Sequence, residues 1–482
     1  MNERACPGFV CAALAAASLC IGSCAVGPDY ERPKPPAVTD YDTPESNGAD
    51  AGRTLAELSG ATGGEASDRW WTLFRSPALD ATLSEAIGRS PNLAAAKATL
   101  DAAREAVTVA QAGYYPRSNA TTGDQRTGGG VVGTQTGYTL GVNASFSFNA
   151  LGGATRRLVE EQVALVDYYR YQLAAAYLTL AGSIANEALT IASTRLQIET
   201  TRELLVDDQK NLDLTIRMFA AGAAARTDVL TAESQLASDE TSLPSLRQQL
   251  SVARHALAIL VGHSPGEWSA PEFELGDFKL PAELPGSLPS ALVRQRPDIL
   301  SAEAELHEDS AAIGVAVAQE YPAISLNASL TRDALTAADL FHHFNRLWNI
   351  GGSLTQPLFQ GGALRAQVRE ARDTYVAQVS TYEQTVLTAF DQVADNLRAL
   401  EHDSQRIAAY RHASRVARDS LDLQRISYAA GKTTVLQLID AERTYAQQRL
   451  GEATADAQQL EDAASLYVAL GGGWWTFALV PR

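Results

Sequence analysis

Phe219-Ala220-Ala221-Gly222, followed ten residues later by Ala232-Glu233, is written a second time as Tyr428-Ala429-Ala430-Gly431 and Ala441-Glu442, 209 residues further along. The same spacing carries Gly152-Gly153 to Gly361-Gly362, and Leu260-Val261-Gly262 to Ala469-Leu470-Gly471. Upstream the spacing is 206, which relates Ser90-Pro91-Asn92 to Arg296-Pro297-Asp298 and Tyr115-Pro116 to Tyr321-Pro322. The change of three falls between positions 116 and 152, so chain length is tolerated there. A repeat this long far exceeds a solenoid unit of ~20–50 residues, so each half is expected to be a complete structural unit in an internal two-fold repeat. The expected boundaries are 68–262 and 290–473 for the two copies, 263–289 between them and 474–482 at the end.

Within each copy the dominant feature is a very long helix. Ala154 to Phe219 contains no proline and only one glycine, Gly182. At 1.5 Å per residue such a helix spans ~100 Å, several times the usual globular length. Val159, Val163, Val166, Leu173, Tyr177, Leu180 and Ile184 lie on a 4-3-4-3 ladder broken only at Arg170, which is the coiled-coil period. Shifted by 209, the ladder reads Val368, Arg372, Tyr375, Val379, Tyr382, Val386, Ala389 and Val393. Return helices are predicted at about 227–260, containing Pro244, and about 434–470. Shorter helices are predicted at about 79–112 and 290–319.

Both shorter helices end at Tyr-Pro and run into strand-like sequence. Leu140, Val142, Ala144, Phe146 and Phe148 alternate with small or polar residues, as do Ile324, Leu326, Ala328 and Leu330. Period two with one apolar face fits a sandwich edge or a lipid-facing barrel wall. Two strands per half are expected, joined by polar, glycine-rich loops such as Gly128-Gly129-Gly130 and the segment holding His342-His343. Four strands cannot close a barrel, and open edges cannot sit in lipid. If these strands span a membrane, the chain must assemble with copies of itself.

The N-terminus reads as a secretory signal over residues 1–23: Arg4, a short apolar stretch from Phe9 to Ile21, then small residues. All four cysteines (Cys6, Cys11, Cys20, Cys24) lie in the first 24 residues, so the mature chain is expected to have no internal disulfide. Ile21-Gly22-Ser23-Cys24 has the form of a bacterial lipobox, which marks Cys24 for acylation, and Ala25 suits outer-membrane sorting. Residues 24–67, with Pro28, Pro33, Pro35, Pro36 and Pro44, read as a flexible tether. The net charge of −17 argues against a nucleic-acid partner and suits cationic solutes.

Catalytic chemistry is absent from the pattern. There is no metalloprotease helix motif, no Cys-x-x-Cys, no phosphate loop and no nucleophile elbow. Gly128–Gly133 precedes a strand and reads as a hairpin tip. The adjacent His342 and His343 read as loop decoration. Trp70-Trp71 and Trp474-Trp475 bracket the body and read as packing residues of one layer. The expectation is a non-enzyme with no metal and no cofactor beyond a covalent lipid on Cys24.

Several stretches carry a family resemblance: Cys24-Ala25-Val26-Gly27-Pro28-Asp29-Tyr30, Trp70-Trp71-Thr72-Leu73-Phe74, Arg296-Pro297-Asp298-Ile299 and Gln356-Pro357-Leu358-Phe359-Gln360-Gly361-Gly362. Tyr467-Val468-Ala469-Leu470-Gly471-Gly472-Gly473-Trp474 completes the set. In this order and duplicated layout, the chain resembles the outer-membrane efflux factors, the TolC/OprM-like channels of tripartite pumps, in their lipoprotein branch. The resemblance implies an α+β membrane protein forming a homotrimer. Four strands per chain would make a twelve-stranded barrel in outer-membrane lipid, continuous with a periplasmic α-helical coiled-coil barrel. The implied partners are a periplasmic adaptor (membrane fusion) protein and an inner-membrane RND-type pump. The chain itself would be a passive, gated exit duct for drugs or other small toxic solutes. A protein-secretion duct of the same architecture is the alternative, and a non-channel envelope lipoprotein is a third.

The resemblance also implies where the gate lies: at the helix turns near Gly222 and Gly431, where positive φ suits glycine. The position that carries over is Asp440, with Leu436 and Tyr428 as an apolar ring and a latch. The residue six after Gly431 is Gln437, where some family members have Asp. Asp213 and Arg217, before Gly222, are candidates for an inter-chain ion pair. In a trimer Asp440 becomes a ring of three carboxylates, expected to attract cations. Its repeat mate is Thr231, so the two copies differ at this point.

Overall fold

The computed structural model describes residues 25–34, 69–128, 134–148, 153–281, 293–341 and 346–474. Cys24 and the signal segment, most of the tether, the His342-His343 pair and Trp475 lie outside these residues. In chain order the main elements are α1 (Pro77–Arg89), α2 (Pro91–Gln111), β1 (Arg117–Gly128), β2 (Thr134–Phe148), α3 (Ala154–Ala220), α4 (Arg226–Glu240) and α5 (Ser242–Val261). The second copy supplies α6 (Pro297–Ala318), β3 (Ala323–Ala334), β4 (Arg346–Thr355), α7 (Ala363–Ala429) and α8 (Val435–Ala469). Helices α3 and α7 are each 67 residues long and begin and end at the 209-residue spacing. The duplication is therefore structural as well as sequential.

Two expected helices are broken, both at proline. The stretch expected at 79–112 divides at Ser90, whose ψ of 119° leaves the helical region. Pro91 lacks an N–H and disfavours helical geometry in the residue before it, so α2 restarts there. The return helix expected at 227–260 divides at Thr241, which places Pro244 in the first turn of α5. A missing N–H there removes no intrahelical hydrogen bond.

By contacts the chain forms two units, each drawn from both copies. The first comprises residues 1–34, 98–170 and 301–384, and the second 35–97, 171–300 and 385–482. The first unit holds the sheet, a four-stranded antiparallel meander in the order β1-β2-β3-β4. Its register aligns Val142 with Leu330 and Leu330 with Trp348, Ala144 with Ala328 and Ile350, and Phe148 with Ile324 and Leu354. One face is thus apolar across three strands. The opposite face carries Asn143, Ser329 and Asn349 in one row, and Ser147, Ser325 and Ser353 in another. Val142, Leu330, Trp348, Ile350 and Leu354 are all exposed within the chain, so this apolar face is not the covered side of an intramolecular sandwich. Strand β1 departs from the alternation; Ser118, Ala120, Thr122 and Asp124 occupy its part of the apolar face.

The second unit has the aromatic core. Trp70 stacks on Tyr467 with ring centres 5.6 Å apart, and Phe74 meets the same Tyr467 edge-on at 6.4 Å. Trp71 is buried too and donates its indole N–H to Asp80 at 3.0 Å. Gly472 (φ +56°) lies against Leu178 and the Trp70 indole, where a side chain would collide. Trp474 packs edge-on to Tyr171 and donates to the Gln295 carbonyl at 2.6 Å, so the expected packing role holds for three of the four tryptophans. The ladder is buried at Leu173, Tyr177, Leu180 and Ile184, and again at Val386, Ala389 and Val393, whereas Val163 is exposed. The heptad signal therefore marks a covered seam only over part of α3.

Arg296 explains the Arg-Pro-Asp stretch. Its guanidinium is buried and donates to Asp298 at 3.0 and 2.6 Å, to the Ala469 carbonyl at 2.9 Å and to Gln392 at 2.8 Å. Pro297 opens α6 and Asp298 sits in its first turn, where a carboxylate faces the positive end of the helix dipole. One side chain thereby joins the start of α6, the end of α8 and the middle of α7. Asp298 is partly exposed, so removing the guanidinium chiefly costs the buried bonds to the Ala469 carbonyl and Gln392, about 1–3 kcal/mol. Arg296→Ala is expected to lower the denaturant midpoint accordingly, with loss of the native near-ultraviolet circular dichroism at lower denaturant. An unchanged midpoint contradicts this role.

Candidate functional site: the helix turns of the second unit

The two turns singled out by sequence have the same backbone. After α3, Gly222 adopts φ +75°, its N–H bonds to the Phe219 carbonyl at 2.9 Å, and the Ala223 N–H bonds to the Met218 carbonyl at 2.8 Å. After α7, Gly431 adopts φ +69°, bonds to Tyr428 at 2.9 Å, and Lys432 bonds to Ser427 at 2.9 Å. This paired closure is the Schellman motif, which satisfies orphan carbonyls at a helix end and needs a left-handed residue. The recurrence of Ala-Ala-Gly in the sequence is the signature of this one turn.

The helices that follow start differently. In the second copy Thr434 caps α8: its hydroxyl accepts from the Gln437 N–H at 3.4 Å, and the Gln437 amide oxygen accepts from the Thr434 N–H at 3.1 Å. In the first copy Ala225 has no capping side chain, and only the return bond is made, from the Ala225 N–H to the Asp228 carboxylate at 2.8 Å. Gln437 and Asp228 are repeat mates, and both serve as capping groups. A glutamine at this position is consistent with that local task.

Leu436 and Asp440 are exposed and four residues apart, hence neighbours on one face of the first turns of α8. Tyr428 stands on the last turn of α7. It is half-buried and its hydroxyl donates to the Met218 sulfur at 3.0 Å, linking α7 to α3. Burial, then the nearby Asp228 charge, pushes its phenol up. Asp213 and Arg217 are exposed on α3. Asp213 accepts from Gln209 at 2.9 Å, and among the described residues neither forms an ion pair within the chain. The turns therefore present two exposed groups, Leu436 with Asp440 and Asp213 with Arg217, around a Tyr428–Met218 contact.

Sequence reading missed a polar network just behind the turns, buried at Glu442 and Asn211 and open to solvent at Arg425. Arg425 donates to Asp207 at 2.9 Å and to Glu442 at 3.2 Å. The other Glu442 oxygen accepts a short hydrogen bond from Asn211. Glu442 is buried, and burial pushes its carboxyl up against the opposing pull of Asn211 and Arg425. The one available signal was the recurrence of Ala-Glu at 232–233 and 441–442; nothing in one dimension pairs Glu442 with Asn211, 231 residues away. Beside the network, Asp208 is buried, and burial first, then Asp239, pushes its carboxyl up to about 7.

The geometry contains a duplicated helical hairpin with glycine turns, an antiparallel sheet with one apolar face, and an exposed carboxylate beside one turn. The fold is that of the TolC-like outer-membrane channels. The chain belongs to the outer membrane efflux protein family, whose sequence pattern matches residues 82–263 and again 288–472, one match per repeat. It is 32% identical over 426 residues to OpmQ, a pyoverdine export outer membrane protein of Pseudomonas aeruginosa, covering 85% of this chain and 89% of OpmQ. It is 29% identical over 477 residues to the toluene efflux pump outer membrane protein TtgC of Pseudomonas putida, covering 96% and 95%. The solved outer-membrane channel OprN superposes with a TM-score of 0.83 at 27% identity, over 94% of this chain and all of that one. The protein is an outer-membrane efflux channel.

A carboxyl raised in the folded state stabilises that state only while protonated. Stability from Asp208 is full below the unfolded value near ~4 and is lost as pH rises towards about 7. Asp208→Asn is therefore expected to unfold at a higher midpoint than wild type at pH 8. The advantage shrinks towards pH 4 and stops growing above about pH 7. A pH-independent difference contradicts the assignment.

Proposed function

We propose that the chain is the exit duct of a tripartite efflux pump, working as a homotrimer with a periplasmic adaptor and an inner-membrane RND-type transporter. The observation that carries this reading is the sheet. Its four strands pair only in the order β1-β2-β3-β4, so among the described residues β1 and β4 each keep one unpaired edge. Its apolar face is exposed over Val142, Leu330, Trp348 and Ile350. Backbone edges in lipid must be paired, and edge-to-edge joining of three sheets closes a barrel of about twelve strands. Among the described residues no helix is long and apolar enough to cross a membrane, which leaves the strands as the spanning elements of this reading.

Acylation of Cys24 by the lipobox pathway adds a second attachment to the same membrane. Acyl chains contribute ~0.8 kcal/mol per buried CH₂, enough for a firm anchor when more than one chain is attached. The solutes named for OpmQ and TtgC, pyoverdine and toluene, are different compounds. That contrast supports a duct whose cargo is selected by the inner-membrane transporter. Because the named relatives serve export or efflux, the secretion alternative is the less supported of the two.

The gate is assigned to the first turns of α8. Asp440 and Leu436 are exposed on one face there, and three copies bring three Asp440 carboxylates around the axis. A ring of carboxylates at a constriction concentrates cations and is blocked by divalent ones. In planar bilayers the wild-type trimer is expected to give small single-channel currents reduced further by millimolar divalent cations. Asp440→Ala is expected to conduct more and to lose about tenfold in divalent sensitivity, the equivalent of ~1.4 kcal/mol. Unchanged conductance and unchanged block remove Asp440 from the gate.

A further inference from the structure

Residues 25–34 begin the segment read as a flexible tether, yet they are held against the first unit at four points. The Arg157 guanidinium, buried to 3% exposure near the start of α3, donates to the Val26 carbonyl at 2.9 Å, the Gly27 carbonyl at 3.3 Å and the Asp29 carboxylate at 2.9 Å. Glu160 completes its shell at 2.8 Å. Tyr30 stacks on His307, ring centres 4.4 Å apart, and its hydroxyl donates to the Glu303 carbonyl at 3.3 Å. Arg32 pairs with Glu303 at 2.6 Å.

The fit leaves no room for side chains. Gly27 has φ +92°, and a Cβ there would lie 2.5 Å from the Gly314 Cα. A Cβ on Gly314 would in turn lie 2.8 Å from the Arg157 side chain. Backbone, glycine and arginine are stacked in direct contact. Arg157 also sits where the helix dipole disfavours a cation, so its partners, not the helix, account for its place.

The duplication shows that this site is made only once. At the repeat spacing, Arg157 corresponds to Ala366, Gly314 to Thr108, Glu303 to Lys97 and His307 to Asp101. The second position has neither guanidinium nor glycine notch, and a lysine replaces the partner of Arg32. A chain has one N-terminus, and one site to receive it.

We propose that Arg157, the Gly27–Gly314 contact and the Tyr30–His307 stack form a clasp that holds the post-cysteine segment and fixes where the acyl anchor of Cys24 leaves the protein body. Cys24 precedes Val26 by two residues, so a held Val26 limits the anchor's reach to about 7 Å between the two Cα positions. Arg157 lies nine residues after Phe148, the end of β2, and the clasp and the sheet belong to the same unit. In this account the lipid adds a fixed second contact with the membrane at each protomer, rather than a loose leash. Arg157 is a positioning residue.

The inference rests on acylation of Cys24, which the mass of the N-terminal peptide reports independently of the clasp. The test uses the full mature chain in detergent, diluted into unlabelled copies, with spin labels at Glu31→Cys and Gln319→Cys, both exposed positions of the first unit. The expected result is one narrow distance distribution. Arg157→Met from the body side, and Gly27→Val from the segment side, each release the segment and spread the distance over about 15 Å, the reach of a flexible chain of about eight residues. Melting of the body is expected to be unchanged in Gly27→Val. A distribution that stays narrow in both variants, or one already broad in the parent, overturns the clasp.

Discussion

An unpaired strand edge cannot rest in lipid, and much of what is distinctive in this chain follows from that constraint. The sheet has four strands, each bonded to its sequence neighbour, with one apolar face exposed on the isolated chain. Nothing else among the described residues can cross a membrane as a helix. The apolar face and the two free edges make sense together only when copies share their edges. Duplication supplies the pieces economically: each copy contributes two strands and one long helical hairpin, and the length difference of three residues falls between Tyr115-Pro116 and Gly152-Gly153, where β1 and β2 lie.

The two copies agree where backbone geometry is at stake and diverge where side chains act. Both helix turns close through the same pair of hydrogen bonds around a left-handed glycine. Just beyond, Thr434 caps one helix and Ala225 fails to cap the other, while Asp440 stands opposite Thr231 in the repeat. Behind the turns Arg425, Asp207, Glu442 and Asn211 bind across copies, so the network has no counterpart of itself. The clasp around Arg157 is a second broken symmetry, at the N-terminal segment. Each asymmetry falls at a place where one chain has one task to perform.

Much of the fold was legible in one dimension because its rules are local. The long helices were marked by the absence of proline, and β2 and β3 by clean alternation. The strand β1 was not legible from its own residues: Ser118, Ala120, Thr122 and Asp124 give no apolar face, and only pairing with β2 and the presence of a second copy reveal it. The helix breaks at Ser90 and Thr241 were signalled by Pro91 and Pro244 but were outweighed by the surrounding helical periodicity. At the turns, Gly222 and Gly431 were marked by the repeat, whereas Leu436 and Asp440 were named through the family resemblance; all four lie in or beside the turns. Glu442, Asn211 and Arg157 could not be named, since their partners lie 231 and about 130 residues away and no short-range pattern links them.

The central claim is that three chains close one barrel by joining β1 of each to β4 of the next, and cysteine cross-linking tests it most directly. Asn119 of β1 and Asn349, Gly351 and Ser353 of β4 lie on the polar face, away from the apolar side chains. Chains carrying Asn119→Cys together with a cysteine at one of these three positions would be oxidised in isolated outer membranes. The account predicts that one of the pairs yields a covalent trimer on a denaturing gel, the ring closing through three bonds. Monomer alone in every pair, or a ladder that continues beyond the trimer, would contradict it.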